Sequence, residues 1–163
     1  MIKITLPNDI EKLHALPSGT NVLLDGVIFT ARDQAHLKLI ALNEQNKPLP
    51  VDLNGQAIYY AGPCPAPVGK PIGSCGPTTS ARMDGITQPM LDLGVRAFIG
   101  KGARESSVID SINANGGSYL LAIGGAGALY ANCVKNSTLA CFEELGCEAI
   151  YRLEIQDFPV IKY

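Results

Sequence analysis

Residues Ile2-Lys3-Ile4-Thr5-Leu6 alternate apolar with polar side chains, the period of two expected of a half-buried strand, and Asn8-Asp9 then cap a short helix through Leu13. Pro17-Ser18-Gly19 turns the chain into an apolar run at 21–30, broken by Asp25 and Gly26 and read as a second strand. Leu37, Ile40 and Leu42 recur at helical spacing and predict a helix over 33–43. Val51 to Tyr60, arranged around Asn54-Gly55, predict a strand pair joined by a tight turn. The Gly- and Pro-rich stretch 61–77 is long for a mere connection and reads as a functional loop. Beyond it the pattern alternates: helix 79–93, strand 95–100, helix 106–115, strand 118–124, helix 126–135 and strand 148–156, with Gly116-Gly117 ending one helix in a left-handed turn. That βα alternation predicts a parallel sheet in the second half of an α/β fold.

Chemistry concentrates where predicted strands end. Gly73-Ser74-Cys75-Gly76-Pro77-Thr78-Thr79-Ser80-Ala81-Arg82-Met83-Asp84 places two hydroxyls and a guanidinium at the start of a predicted helix. Two readings fit this segment. One is an ordinary capped helix; the other is an anion pocket in which Thr78 and Arg82, one turn apart, address the same ligand. Arg32, in Phe29-Thr30-Ala31-Arg32-Asp33-Gln34-Ala35-His36, falls at a strand-to-helix junction, and Lys101 lies between Gly100 and Gly102 at the end of a short apolar strand. Three cations at three strand ends therefore form a candidate anion site. His36 shares a helical face with Arg32 and reads either as a general base or as a helix histidine bonded to a neighbouring segment. Asp33 and Asp84 each adjoin a proposed substrate arginine and are expected to orient that guanidinium. Gly124-Gly125-Ala126-Gly127 opens a helix after a strand, but its spacing is not the Gly-x-Gly-x-x-Gly of a dinucleotide site, so close packing of helix on strand, or of this turn on a partner subunit, is the expectation.

Bulk properties narrow the classes. The 163 residues suit a single domain spanning 1–163. A net charge of −2 supplies no basic field for nucleic acid, and no apolar run approaches a bilayer span or a signal peptide's core, so a cytoplasmic protein with no nucleic-acid or membrane partner is expected. Charged residues make up only 17% of the chain, which leaves apolar surface for a protein partner. The five cysteines (Cys64, Cys75, Cys133, Cys141 and Cys147) include no Cys-x-x-Cys, so neither a disulfide framework nor a self-contained metal site is indicated. Cys64 and Cys75 bracket the Gly/Pro-rich loop and read either as ligands or as free thiols.

Six separated motifs occur in one order: Thr-Ala-Arg-Asp-x-Ala-His (30–36), Gly-Pro-Thr-Thr-x-x-Arg-Met-Asp (76–84), Gly-Lys-Gly (100–102), Tyr-Leu-x-x-Ile-Gly-Gly-x-x-Ala (119–128), Glu-Leu-Gly-x-Glu-Ala (144–149) and Glu-Ile-x-Asp-Phe-Pro (154–159). Together they resemble the β subunit of class I fumarases and L-tartrate dehydratases, the C-terminal domain of the single-chain enzymes. The resemblance implies a swivelling β/β/α-type domain with a mixed sheet and helices packed on it. It implies an iron–sulfur-dependent hydro-lyase that hydrates fumarate reversibly to (S)-malate, with tartrate dehydration to oxaloacetate or a non-catalytic dicarboxylate-binding module as alternatives. It also implies a hetero-oligomer in which a partner α subunit supplies a [4Fe–4S] cluster and this chain alone binds none. Matched by motif, Thr78 is the base at the substrate carbon, Arg32 and Arg82 bind carboxylate, and Lys101 lines the same pocket. Asp33, His36, Thr79, Asp84 and Arg104 are supporting residues, with Thr79 the expected helix cap. Many fumarase-type relatives carry Asn-Arg after Lys-Gly where this chain has Ala103-Arg104, and the retained arginine favours fumarate. Relatives of this kind commonly continue past Asp157-Phe158-Pro159, whereas this chain stops at Tyr163, which leaves the pairing of its closing strand open.

Overall fold

In the computed structural model, which describes residues 1–163, helices pack on a mixed sheet of seven strands. The strands are β1 (Ile2–Leu6), β2 (Asn21–Thr30), β3 (Ala57–Tyr59), β4 (Ala97–Gly100), β5 (Ser118–Leu121), β6 (Val134–Cys141) and β7 (Ile150–Lys162). Between them lie α1 (Ile10–His14), α2 (Asp33–Glu44), α3 (Thr87–Asp92), α4 (Ser106–Ala114) and α5 (Gly127–Cys133), with 3-10 segments at Ser80–Ile86 and Glu143–Glu148. No helix is long and apolar enough to cross a membrane.

β2, β3, β4 and β5 run parallel in that order, and β1 lies parallel to the first half of β2. β7 runs antiparallel to β2 from Asn21↔Ile161 to Phe29↔Arg152, and its last residues pair with β5 at Leu120↔Lys162 and Leu121↔Ile161. The pairings β2–β3, β3–β4, β4–β5, β5–β7 and β7–β2 thus close into a ring. Alternate side chains of these strands point to opposite sides of it. Ala57, Tyr59, Ala97, Ile99, Leu120, Phe158 and Val160 face an inner core with Ile10 and Leu13 of α1 and Tyr130 and Cys133 of α5. Ile58, Tyr60, Phe98 and Tyr119 face the outer layer formed with Leu39 of α2, Met90 of α3 and Ile112 of α4. Phe158 anchors the inner core, its ring 5.1 Å from that of Tyr59 and 4.4 Å from that of Tyr130. Burying one such ring contributes roughly 2–3 kcal/mol.

Four expectations are corrected. Residues 51–60 form no hairpin: the Asn54-Gly55 turn is present, with Asp52 Oδ1 accepting from Asn54 N at 3.0 Å, but only β3 follows it, and β3 pairs in parallel with β2 and β4. Residues 79–93 are not one helix but a 3-10 turn followed by α3, which restarts at Thr87 and holds Pro89 in its first turn, where no amide donor is required. The helix expected to reach 135 stops at Cys133 and gives way to β6, an edge strand with mostly exposed side chains. The last strand, expected over 148–156, extends through Lys162, and that extension closes the ring.

Candidate active site

The C-terminal ends of β2, β3, β4 and β5 form one rim of the sheet, where open α/β folds gather ligand-binding groups. Arg32 follows β2, Tyr60 follows β3, Lys101 follows β4, and Gly124 lies just beyond β5. The segment Thr78-Thr79-Ser80 is stitched into this rim. Thr78 N donates to Tyr60 O at 2.7 Å, Lys101 N donates to Thr78 O at 3.2 Å, and Ser80 N donates to Lys101 O at 3.0 Å. Thr78 and Lys101, distant in sequence, therefore share one short ladder. Gly100 makes that approach possible, because a Cβ there would stand 1.9 Å from Ser80 Oγ and 2.8 Å from Tyr60 Cδ2.

Thr78 donates its hydroxyl to the same Tyr60 carbonyl, at 3.1 Å, and is half-buried. Neither threonine caps a helix: Thr79 occupies the N-cap position of the 3-10 turn, but its side chain makes no capping bond. The segment expected to open an α-helix at Gly-Pro-Thr-Thr instead opens a 3-10 turn. The cations around it are set by tertiary contacts. Exposed Arg82 reaches across to Asp33, with Nη2 3.2 Å from Oδ1, which brings it beside the N-terminus of α2 that Arg32 precedes. Lys101 is half-buried and its Cδ lies 3.4 Å from where a Gly124 Cβ would be. Arg32 lies over Gly62, whose Cβ would be 3.0 Å from Arg32 Cδ, and its Nε is buried without a partner in this chain.

The supporting residues sort differently from their order in sequence. Asp33 pairs with Arg82 rather than with its neighbour Arg32, and Asp84 pairs with Arg104 rather than with nearby Arg82. His36 is fully buried, and its amide (3.1 Å) and Nδ1 (2.7 Å) both point at Arg32 O. A carbonyl only accepts, so Nδ1 carries the proton and Nε2, which has no partner, is the unprotonated nitrogen. Burial drives the His36 pKa down to about 4, so the ring is neutral at pH 7 and fixes the Arg32 backbone. Arg104 is buried with every nitrogen engaged, and it does not face the rim as a free cation.

Arg32, Thr78 and Lys101 are half-buried at this end of the sheet, and Arg82 is exposed. A neighbouring groove of about 280 Å³ is lined by Cys64 and Ile72 of the loop and Cys147 and Tyr151 opposite. The cysteines do not form a cluster cradle. Cys75 and Cys133 are buried in the inner core, burial pushes the Cys75 thiol up to about 12, and nowhere do three His, Cys, Asp or Glu side chains gather to hold a metal.

The family model described as Fumarase C-terminus matches residues 1–162. The chain belongs to the fumarase C-terminus family. It is 39% identical to "Fumarate hydratase 2" of Leishmania major over 97% of its own length and 29% of that protein. It is 40% identical to "Fumarate hydratase class I, anaerobic" of Escherichia coli over 92% of its length and 28% of the relative. With "Putative L(+)-tartrate dehydratase subunit beta" of Methanocaldococcus jannaschii it shares 42% identity over 94% of its length and 80% of the relative. It thus spans less than a third of the fumarate hydratases that it matches but most of a chain named as a subunit. Against this family background, the part of the rim missed in the sequence is its support. Tyr60, Ser80 and Tyr119 hold the segment that carries Thr78, and each is an unremarkable strand or turn residue until the sheet closes. The one available signal was Tyr59-Tyr60, two aromatic side chains on opposite faces at the end of a strand that runs into the loop.

Proposed function

We propose that this chain is the substrate-clamping β part of a class I iron–sulfur hydro-lyase that interconverts fumarate and (S)-malate. It works as a hetero-oligomer with an α subunit that carries the [4Fe–4S] cluster. The observation that supports this reading is the ladder that joins Thr78 to Lys101 at the end of the sheet from which Arg32 also departs, with Arg82 paired to Asp33 next to Arg32, in a member of the fumarase C-terminus family. A set of cations at the strand ends suits a small dianion that a second polypeptide would enclose.

In malate dehydration a C–H proton leaves one carbon, the electrons of that bond form the C=C bond, and the hydroxyl leaves the neighbouring carbon with the electrons of the C–O bond, so the products are fumarate and water. The residues of this chain act on the carboxylates and on the proton. Arg32 and Arg82 grip carboxylate oxygens with paired N–H donors, and Lys101 adds a compact charge. The unpartnered Arg32 Nε is a donor in want of an acceptor, and a substrate carboxylate would displace Asp33 from Arg82. Thr78 stands as the base at carbon. Its own proton is directed at the Tyr60 carbonyl, which cannot take it, so Thr78 acts as a base only after losing that proton to solvent before substrate is enclosed, an ionisation that neighbouring cations would favour. Tartrate dehydration to oxaloacetate is the second reading, favoured by the subunit-sized relative bearing that name.

The test is anaerobic co-expression with a cysteine-bearing α partner and a fumarate assay on malate, with both tartrates in parallel. Complex formation and fumarate release are expected. No complex and no turnover on any of the three would reduce the chain to a binding module. In the active complex Thr78→Val is expected to lower kcat by about 10²-fold or more while malate binding persists. Arg82→Lys is expected to raise KM roughly 10-fold through loss of the guanidinium fork. Equal loss of binding and turnover in Thr78→Val would demote the threonine to a structural role.

A further inference from the structure

Beneath the rim lies a buried cation that touches none of the proposed clamp. The Arg104 side chain has no exposed surface, and its nitrogens are distributed over three partners: Nε donates to Asp84 Oδ1 at 2.7 Å, Nη1 to the Tyr60 hydroxyl at 3.1 Å and Nη2 to Thr87 Oγ1 at 2.6 Å. Its guanidinium carbon lies 5.4, 5.9 and 5.2 Å from the ring centres of Tyr60, Phe98 and Tyr119. A lysine could not reproduce this arrangement, because an ammonium offers one donor centre and no plane to stack. The partners lead upward. Tyr60 presents the carbonyl that receives both the amide and the hydroxyl of Thr78. The Tyr119 hydroxyl lies 2.7 Å from Ser80 Oγ and 2.7 Å from Gly102 O, so it donates to the carbonyl and accepts from Ser80. Ser80 and Gly102 flank the two strands of the ladder that holds Thr78 and Lys101.

We propose that Arg104 is a positioning residue: it locks Tyr60 and Tyr119 from below, and through the Tyr60 carbonyl and the Ser80–Lys101 ladder it fixes Thr78 and Lys101 against the ligand. This rests on the reading of Thr78 as the group that meets the substrate carbon. Arg104 adds no clamp of its own, since Asp84 neutralises it and its nitrogens are spent. Its effect belongs on turnover, while Arg32 and Arg82, held from α2 and Asp33, keep the substrate affinity.

The experiment compares wild type, Arg104→Lys and Tyr60→Phe in the anaerobic complex with the α partner, and follows amide hydrogen exchange in the same three proteins. Arg104→Lys is expected to lower kcat for malate dehydration about 10-fold or more with KM within about twofold. Exchange at the Thr78, Ser80 and Lys101 amides is expected to quicken about 10-fold while Phe98 and Leu120 in the sheet stay protected. Tyr60→Phe, which keeps the ring and removes the hydroxyl that Arg104 holds, is expected to shift the same amides in the same direction. Unchanged kcat and unchanged exchange in Arg104→Lys would overturn the proposal. So would exchange that quickens throughout β4 and β5 with kcat and KM failing together, since that is the mark of general fold support. If Arg104→Lys does not fold, Tyr60→Phe decides by the same two readouts. A wild-type complex that makes no fumarate would remove the proposed function alone, because the exchange comparison still reports on the lock.

Discussion

His36 shows how one residue's burial sets its chemistry. Its folded pKa of about 4 lies below the ordinary 6.5, first because burial disfavours the cation and also because Arg104 opposes it, with the Arg32 carbonyl and Asp33 acting the other way. The unfolded chain therefore binds the extra proton more readily, and the stability that neutral His36 contributes is fully present above pH 6.5 and lost as pH falls toward 4. The loss is on the order of 3 kcal/mol across that window. Urea titrations at pH 7.5 and pH 4.5 should show a larger drop for wild type than for His36→Gln; equal drops would mean that the histidine is not the titrating group. At this scale the positions of Arg32 and Lys101 just after strands were legible from the turn residues and strand ends around them. The ion-pair partners were not. Arg82 and Asp84 are close in sequence, but a three-residue period sends them to different sides of the 3-10 turn, so Asp84 meets Arg104 and Arg82 meets Asp33.

Among the elements, the rim depends on the approach of the 78–80 segment to the end of β4, and Gly100 governs it. Gly100→Ala places a methyl group inside contact distance of Ser80 Oγ and the Tyr60 ring, and a loss of about 1–3 kcal/mol is expected, with turnover impaired. Gly85→Ala, where nothing lies within 4 Å of the new Cβ, is expected to stay within about 0.5 kcal/mol. Chemical denaturation of the two variants checks the contrast, and a neutral Gly100→Ala would show that the ladder is not tightly packed. β1, β2, α2 and α4 were readable because their apolar periods are long or bounded by turn residues. The false hairpin at 51–60 arose because Asn54-Gly55 reports a turn and not what flanks it: Leu53 is buried in the outer core without pairing as a strand. β6 escaped notice because, as an edge strand with one pairing partner, it shows little alternation.

For the whole molecule, the cysteines are too dispersed to hold a cluster, with two in the inner core and two exposed on the groove beside Arg32. The purified chain is therefore expected to show no iron–sulfur absorption after anaerobic reconstitution with iron and sulfide, whereas the complex with the α partner is expected to show it. A stoichiometric cluster on the chain alone would contradict this division of labour. Hydrophobic periods and turn residues determined most of the helices and strands, and the motif order determined the family, because both are written in local spacing. Only the closed sheet decided that β7 joins β2 to β5, that Thr78 and Lys101 share a ladder and that Arg104 lies beneath it. Those contacts link residues far apart in sequence, and their geometry depends on strand register and side-chain packing, which no local pattern specifies.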